Sequence, residues 1–211
     1  MNETRTAYLT AARSALALLG EPAVARRWAE PSALAEFRVG GLAGHLAAQI
    51  LRVPTMLDQP VPAGAPVGLA EHFGRVPWLD AGLDDEVSVV VRRIGGELAG
   101  PGPAALLSRA GETLEKVAGV LAEAPVDRLV VVPGGWSLTL DDFLVTRLLE
   151  IAVHSDDLAV SVGLDTPELP AEVIDPVFTL LARLSARRHG QPAVLRALSR
   201  SERAPADITA F

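Results

Sequence analysis

The segment LLEIAVHSDDLAV, at residues 148–160, carries ionisable side chains in a stretch that is otherwise mostly apolar. Glu150 and His154 lie four residues apart, which in an α-helix places both side chains on one face, about 40° from each other. Arg147 and Asp157 fall on the same narrow stripe, with apolar residues on both sides of it. A helix that is apolar nearly all round normally lies inside its bundle. We therefore expect these charges to be buried and to need partners, because burying an unpaired ionised group is expensive.

A second segment offers a histidine that can complete a metal site. In VGGLAGHLAAQIL, at residues 39–51, His45 is the only ionisable residue, and Gln49 lies one turn further on. Two imidazoles and one carboxylate are a ligand set of catalytic zinc, which leaves a coordination position open for water or substrate. Nickel or iron would fit the same donors. We predict that His45, Glu150 and His154 bind one divalent cation, zinc in the first place, with Gln49 beside them.

Two other interpretations account for the same residues without a metal. Glu150, His154 and Arg147 can form a buried hydrogen-bonded network that fixes the helix in place. His45 can be a core histidine whose ring nitrogens are satisfied by hydrogen bonds. A ferritin-like di-iron centre is disfavoured, because it needs two Glu-x-x-His pairs and two further glutamates. The sequence has a single Glu–His pair of different spacing.

Residues around the predicted site also have two interpretations each. Asp157 can accept a hydrogen bond from the ring N–H of a ligating histidine, as outer residues of metal sites commonly do. It can instead form a salt bridge with one of two arginines, Arg147 or Arg52. Trp136 can cover the metal cavity or fill part of the core. We place Asp157, Arg147 and Trp136 around the site as predicted neighbours.

Helical spacing of apolar residues predicts the elements that would position this site. Helices are predicted over six segments, at residues 3–19, 39–58, 104–124, 139–162, 170–189 and 192–199. Pro54 is expected to bend the second of them. Residues 84–98 fit a helix, although VSVVV within them also fits a strand. Thr139 can cap the helix that carries Glu150, because its hydroxyl can accept a hydrogen bond from a free N–H of the first turn.

Irregular segments connect these helices. Residues 60–77 are rich in Pro and Gly and predict a long connection, in which His72 is expected to be an exposed loop residue without a role. RLVVVPGGWSLTL, at residues 128–140, predicts a short extended arm and a Gly-Gly turn. His189 is expected to be exposed at a helix end.

Composition favours one all-α domain over residues 1–211. Hydrophobic residues make up 49% of the chain and aromatic residues only 4%, so the core must consist mainly of Ala, Leu and Val. Ala and Leu are strong helix formers. Because the sequence has neither an internal repeat nor a domain-sized linker, a single helical bundle is the simplest architecture.

Charge and cysteine content exclude several classes of function. The net charge of −7 argues against general binding to nucleic acid or to an anionic membrane. The chain has no cysteine, which excludes disulfides, thiolate metal sites and a cysteine nucleophile, so any thiol chemistry needs an external thiol. The N-terminus lacks the pattern of a signal peptide, and no stretch reaches the roughly 18 apolar residues of a membrane helix. We expect a cytoplasmic protein.

Three segments carry a resemblance to a known family. FRVGGLAGHLA, GGWSLTLDDFLVTRLLEIAVHSDDLAVSVGL and RRHGQPAVLRALSRSERAPADITAF resemble the mycothiol-dependent maleylpyruvate isomerase N-terminal family, within the DinB-like superfamily. The resemblance implies an up-down-down-up four-helix bundle, here with extra short helices and a C-terminal extension. The family's metal ligands fall on His45, Glu150 and His154.

The resemblance also implies a chemistry. Members of the family use an exogenous low-molecular-weight thiol, which is mycothiol in actinobacteria, and the metal stabilises its thiolate. The expected function is a metal-dependent S-transferase or isomerase acting on a small electrophilic molecule. The alternative is a non-catalytic bundle that a metal stabilises and that binds a small molecule or thiol. Both a monomer and a homodimer are compatible with the sequence.

Overall fold

Helices account for nearly all the regular structure of the computed structural model, which describes residues 2–60 and 64–211. In chain order the helices are α1 (Glu3–Leu19), α2 (Pro22–Arg26), α3 (Val39–Leu51), α4 (Val53–Leu57), α5 (Leu69–Arg75), α6 (Glu86–Ala99), α7 (Pro103–Glu123), α8 (Leu140–Val162), α9 (Ala171–His189) and α10 (Gln191–Ser199). Short 3₁₀ turns occur at Pro77–Asp80 and Ser201–Arg203. Strands β1 (Leu129–Val131) and β2 (Ser137–Thr139) form an antiparallel hairpin. The predicted all-α, DinB-like class is confirmed.

The core lies between the long helices, with α3 and α8 at its centre. Helix α8 packs against α1, α3 and α9, while α3 also packs against α6 and α7. The side chains between them are mainly Ala, Leu and Val, as the composition predicts, with Tyr8 and Phe143 as the largest fully buried aromatic residues of this group. Each fully buried Leu or Val contributes about 1.5–3 kcal/mol relative to an exposed position. None of the described helices has the length and hydropathy needed to cross a bilayer.

Both ends of α8 follow from local sequence. The Thr139 hydroxyl accepts a hydrogen bond from the backbone N–H of Asp142 at 3.1 Å, and Asp141 and Asp142 lie in the first turn, where the helix dipole favours negative charge. At the other end, Gly163 adopts a left-handed conformation with φ of 73°, which glycine adopts without a steric cost. The predicted cap and the predicted end are thus observed.

The segment at residues 39–58 forms two helices. Helix α3 ends at Leu51, and α4 begins at Val53 with Pro54 in its first turn. Pro54 has no N–H to donate to the carbonyl four residues earlier, so an uninterrupted helix is unfavourable here, whereas the first turn of a new helix tolerates proline. Near Pro54 the structure therefore has a break between two helices in place of the predicted bend within one.

The structure resolves one ambiguity and corrects one expectation. VSVVV belongs to α6 and is helical, and its apolar residues follow helical spacing. Residues 69–75 form helix α5 inside the segment predicted to be an irregular connection, of which residues 61–63 lie outside the described residues. His72 lies on this helix and is only 7% exposed, so the expectation of an exposed loop residue was wrong. Helix α5 packs against α9, a tertiary contact that local sequence does not reveal.

Helices α3 and α6 meet through their glycines. A Cβ added to Gly44 would lie 2.1 Å from the carbonyl oxygen of Gly95, and a Cβ added to Gly95 would lie 2.5 Å from the carbonyl oxygen of Gly41. The two backbones are therefore in direct contact, with no room for side chains between them. This contact places the apolar face of α6 beside His45, which follows Gly44 on α3.

Replacing Gly95 by alanine should lower the free energy of unfolding by about 2 kcal/mol, because the added methyl group meets backbone that cannot move aside. Gly96→Ala is the matched control on the same helix, since its added Cβ would have nothing within 4 Å. It should raise the free energy of unfolding by up to about 1 kcal/mol through helix propensity. Urea titration measures both, and equal stabilities of the two variants would contradict the close contact.

Candidate metal centre

Three predicted ligands converge between α3 and α8. The Glu150 carboxylate oxygen Oε2 lies 3.2 Å from Nε2 of His45 and 3.3 Å from Nε2 of His154. His45 comes from α3, whereas Glu150 and His154 lie one turn apart on α8. Of all the described His, Asp and Glu residues, these form the single group of three whose possible ligand atoms all lie within 4.8 Å of one another.

The spacing and chemistry of these atoms fit a metal ion. Ligand atoms about 2.1 Å from a tetrahedral zinc ion are about 3.4 Å from each other, close to the two distances that Glu150 makes with the histidines. The rings of His45 and His154 are nearly perpendicular, at 83°, with centroids 4.5 Å apart. The three side chains are 16–17% exposed, so they are shielded from bulk water and still accessible.

The negative charge of the Glu150 carboxylate is balanced mainly by His154. Burial alone would raise the pKa of Glu150, but hydrogen bonds with His154 and His45 hold it well below its ordinary value. Burial would lower the pKa of His154, yet Asp157 and Glu150 raise it to about 9. Burial lowers the pKa of His45, which therefore favours its neutral form. A bound cation would replace the proton of His154 as the positive charge beside Glu150.

Asp157 lies against His154 on the side away from Glu150. Its Oδ2 is 2.9 Å from Nδ1 of His154, one turn earlier on α8. A proton on Nδ1 then leaves Nε2, the nitrogen that faces Glu150, as the possible ligand atom. Asp157 therefore contacts a predicted ligand, His154, as in the first of its two interpretations. Neither Arg147 nor Arg52 forms a salt bridge with it.

Gln49 and Arg147 form a chain of hydrogen bonds that ends at the backbone of His45. The Arg147 guanidinium donates to Oε1 of Gln49 at 2.5 Å, and the Gln49 amide donates to the backbone carbonyl of His45 at 2.9 Å. The Tyr8 hydroxyl donates to the backbone carbonyl of Gln49 at 3.0 Å. Within the described part of the chain Arg147 makes no salt bridge, so the direct Arg147–Glu150 pair of the metal-free network is not observed. Its charge still helps to lower the pKa of Glu150.

A cavity of about 560 Å³ opens beside the three residues. Its lining includes His45, Glu150 and Arg147 at one side and the apolar face of α6 at another. This volume lies in the range of small-molecule sites. Trp136, half-buried on the hairpin, lines the cavity and also packs against the core, so its side chain occupies both of the places predicted for it.

Sequence reasoning missed two parts of this cavity. His72 lines it and accepts a hydrogen bond at Nδ1 from the Trp136 indole N–H, 3.1 Å away. The α6 wall was missed because VSVVV left helix and strand open. Helical spacing of Val87, Val90 and Ile94 is the signal that could have identified that wall. No comparable signal exists for His72, whose position depends on tertiary contacts.

Replacing Asp157 by alanine should weaken binding of a divalent cation by about 10–100-fold, because the ring of His154 loses the acceptor that orients it. Asp156→Ala is the matched control, since Asp156 is exposed and its carboxylate accepts from Thr166 instead. Calorimetric titration of zinc into both variants and the wild type measures the affinities. Equal weakening by the two substitutions would show that Asp157 has no specific effect.

Comparison with known proteins gives one match. The family model described as mycothiol maleylpyruvate isomerase N-terminal domain matches residues 9–159. The matched segment contains all of α3 and all but the last three residues of α8, and therefore all three converging residues. No curated protein and no solved structure matches the chain.

Proposed function

The chain belongs to the mycothiol maleylpyruvate isomerase N-terminal domain family, and from that premise we propose that it is a metal-dependent enzyme using a small thiol. Its reaction is S-transfer to, or isomerisation of, a small electrophilic molecule. The observation that carries the proposal is the meeting of His45, Glu150 and His154 beside a ligand-sized cavity, which His45 and Glu150 line. The proposed ion is zinc, with nickel or iron as alternatives, the proposed thiol is mycothiol, and residues 1–211 act as one domain.

In this proposal each side chain at the metal centre has a specific role. His45, Glu150 and His154 hold the ion, and the open side of the site faces the cavity. When bound, the ion favours the thiolate form of a thiol and so supplies the nucleophile that a chain without cysteine lacks. Asp157 keeps the proton on Nδ1 of His154 and so keeps Nε2 directed towards Glu150.

The cavity provides the place for the electrophile. The thiolate sulfur forms a bond to an electrophilic carbon. In S-transfer a leaving group departs with the electrons of the broken bond. In isomerisation the electrons of an activated double bond move onto its acceptor group, the resulting single bond rotates, and the returning electrons break the C–S bond and expel the thiolate. The apolar α6 wall, with Val87, Val90 and Val91, excludes water from one side of this space. Gln49 and Arg147 fix the backbone of α3 at His45 and so keep the ligand set in position.

A second candidate function rests on the same contacts. Glu150 joins α8 to α3 through His45, so an ion at this point would lock two core helices together. The protein would then be a metal-stabilised bundle that binds a small molecule or thiol without turnover. A metal-free network is the third possibility, since Glu150 lies at hydrogen-bond distance from His45 and at ion-pair distance from His154.

Elemental analysis of the purified protein should find one divalent ion per chain. His154→Ala should abolish this stoichiometry, because two remaining ligands bind an ion weakly. His189→Ala is the control, since His189 lies at the end of α9 and outside the cavity lining. A wild-type protein that neither co-purifies with nor binds a divalent ion would refute both metal-based functions and leave the metal-free network.

Turnover of small electrophiles should depend on added thiol, with mycothiol as the first to be tested. Glu150→Gln should lower the rate by about 100-fold or more, because it removes the anionic ligand of the centre. Asp156→Ala, on the exposed side of the same helix, should keep the rate. Metal binding without thiol-dependent turnover of any electrophile would support the binding bundle instead.

A further inference from the structure

His72 is a buried polar residue in the cavity that the proposed metal centre does not use. It lies on α5, is 7% exposed, and packs edge-on against the ring of Phe73. It lines the same cavity as His45 and Glu150, although it is not one of the converging ligands. Such a residue needs hydrogen-bond partners for both ring nitrogens.

One ring nitrogen of His72 has its partner in Trp136. The Trp136 indole N–H donates to Nδ1 of His72 at 3.1 Å. An indole nitrogen is only a donor, so Nδ1 must be the acceptor and cannot carry a proton. The neutral His72 ring therefore carries its proton on Nε2. The hairpin thus determines which nitrogen of His72 is a donor.

The neutral form of His72 prevails at neutral pH. Burial lowers its pKa to about 4, and the positive charge of Arg147 acts in the same direction. A protonated ring would also turn an N–H of Nδ1 towards the N–H of Trp136, which is unfavourable. His72 is thus an uncharged donor with a single available N–H.

That N–H has no partner within the described part of the chain. The bond from Trp136 is the one hydrogen bond that the His72 side chain makes there. Nε2 is not among the fully buried polar atoms that lack a partner, so it remains accessible. Because the ring lines the cavity and its other nitrogen is turned to Trp136, the occupant of the cavity is the acceptor best placed to bond this N–H in place of water.

We propose that Nε2–H of His72 donates a hydrogen bond to an acceptor oxygen, such as that of a carbonyl group, of the molecule that occupies this cavity. The apolar part of the same molecule packs against Val87, Val90 and Val91 of α6. Trp136 is a positioning residue, because it fixes the proton on the nitrogen that donates. This binding role needs neither the metal nor the thiol of the proposed function.

Two small molecules of nearly equal shape test whether Nε2–H of His72 donates to a bound oxygen. Acetophenone carries a carbonyl oxygen where α-methylstyrene carries a methylene group, and both are small enough for the cavity. Titrations into the ¹⁵N-labelled full chain, followed through backbone amides and the Trp136 indole, give both dissociation constants. The wild type should bind acetophenone about fivefold more tightly than α-methylstyrene, the effect of one neutral hydrogen bond. Equal affinities, or binding of neither probe, would overturn the proposal.

Variants assign the preference to His72. His72→Phe keeps a ring but loses the N–H, and should bind both probes alike. His72→Gln places an amide N–H near the position of Nε2 and should keep the preference for acetophenone. His154→Ala should also keep it. A preference that survives in His72→Phe, or disappears in His154→Ala, would overturn the proposal, the second because the oxygen would then be bound at the metal centre.

The wild-type protein gives a readout that does not depend on whether variants fold. Long-range ¹H–¹⁵N spectra distinguish a protonated from an unprotonated ring nitrogen of His72. At pH 7, Nε2 should be protonated and Nδ1 unprotonated, and the Nε2 signal should shift with acetophenone and not with α-methylstyrene. A proton on Nδ1, or a Nε2 signal insensitive to acetophenone, would overturn the proposal.

Discussion

The buried carboxylate of Glu150 is the constraint on which the rest of the structure depends. It lies on the central helix of the bundle, where an ionised group is stable only if opposite charge and hydrogen-bond donors surround it. His154 supplies a positive charge from the next turn of α8, and the neutral His45 supplies a hydrogen-bond donor from α3. The contact between His45 and Oε2 of Glu150 joins α3 to α8. A polar contact therefore helps to set the relative position of these two helices, together with apolar packing.

Other contacts of the bundle keep that arrangement in place and open a space beside it. Gln49 and Arg147 link α3 to α8 one turn away from His45. The glycine contact between α3 and α6 brings an apolar wall close to His45. The hairpin adds Trp136, and α5 adds His72. The cavity therefore has a polar side at the carboxylate, an apolar side at α6 and a neutral donor at His72.

Much of this arrangement could be predicted from sequence because it depends on local pattern. The spacing of Glu150 and His154, the cap at Thr139 and the end at Gly163 are all properties of a single helix. His45 was identified by chemistry, as the one ionisable residue of an apolar segment, and the structure brings it to the other two. His72 could not be predicted, since its burial arises from the packing of α5 on α9 and from the bond with Trp136, which is 64 residues away. For α6, the run of valines by itself fits both helix and strand, whereas the spacing of Val87, Val90 and Ile94 over a longer stretch indicates a helix.

The most direct measurement of the central claim is anomalous X-ray diffraction from crystals of the purified protein, collected above the absorption edges of iron, nickel and zinc. The metal-centre account predicts one anomalous peak about 2.0–2.2 Å from Nε2 of His45, Nε2 of His154 and the carboxylate of Glu150. The absence of a peak there, even after the crystals are soaked in zinc, would contradict it. Glu150 would then be a structural anion held by two histidines.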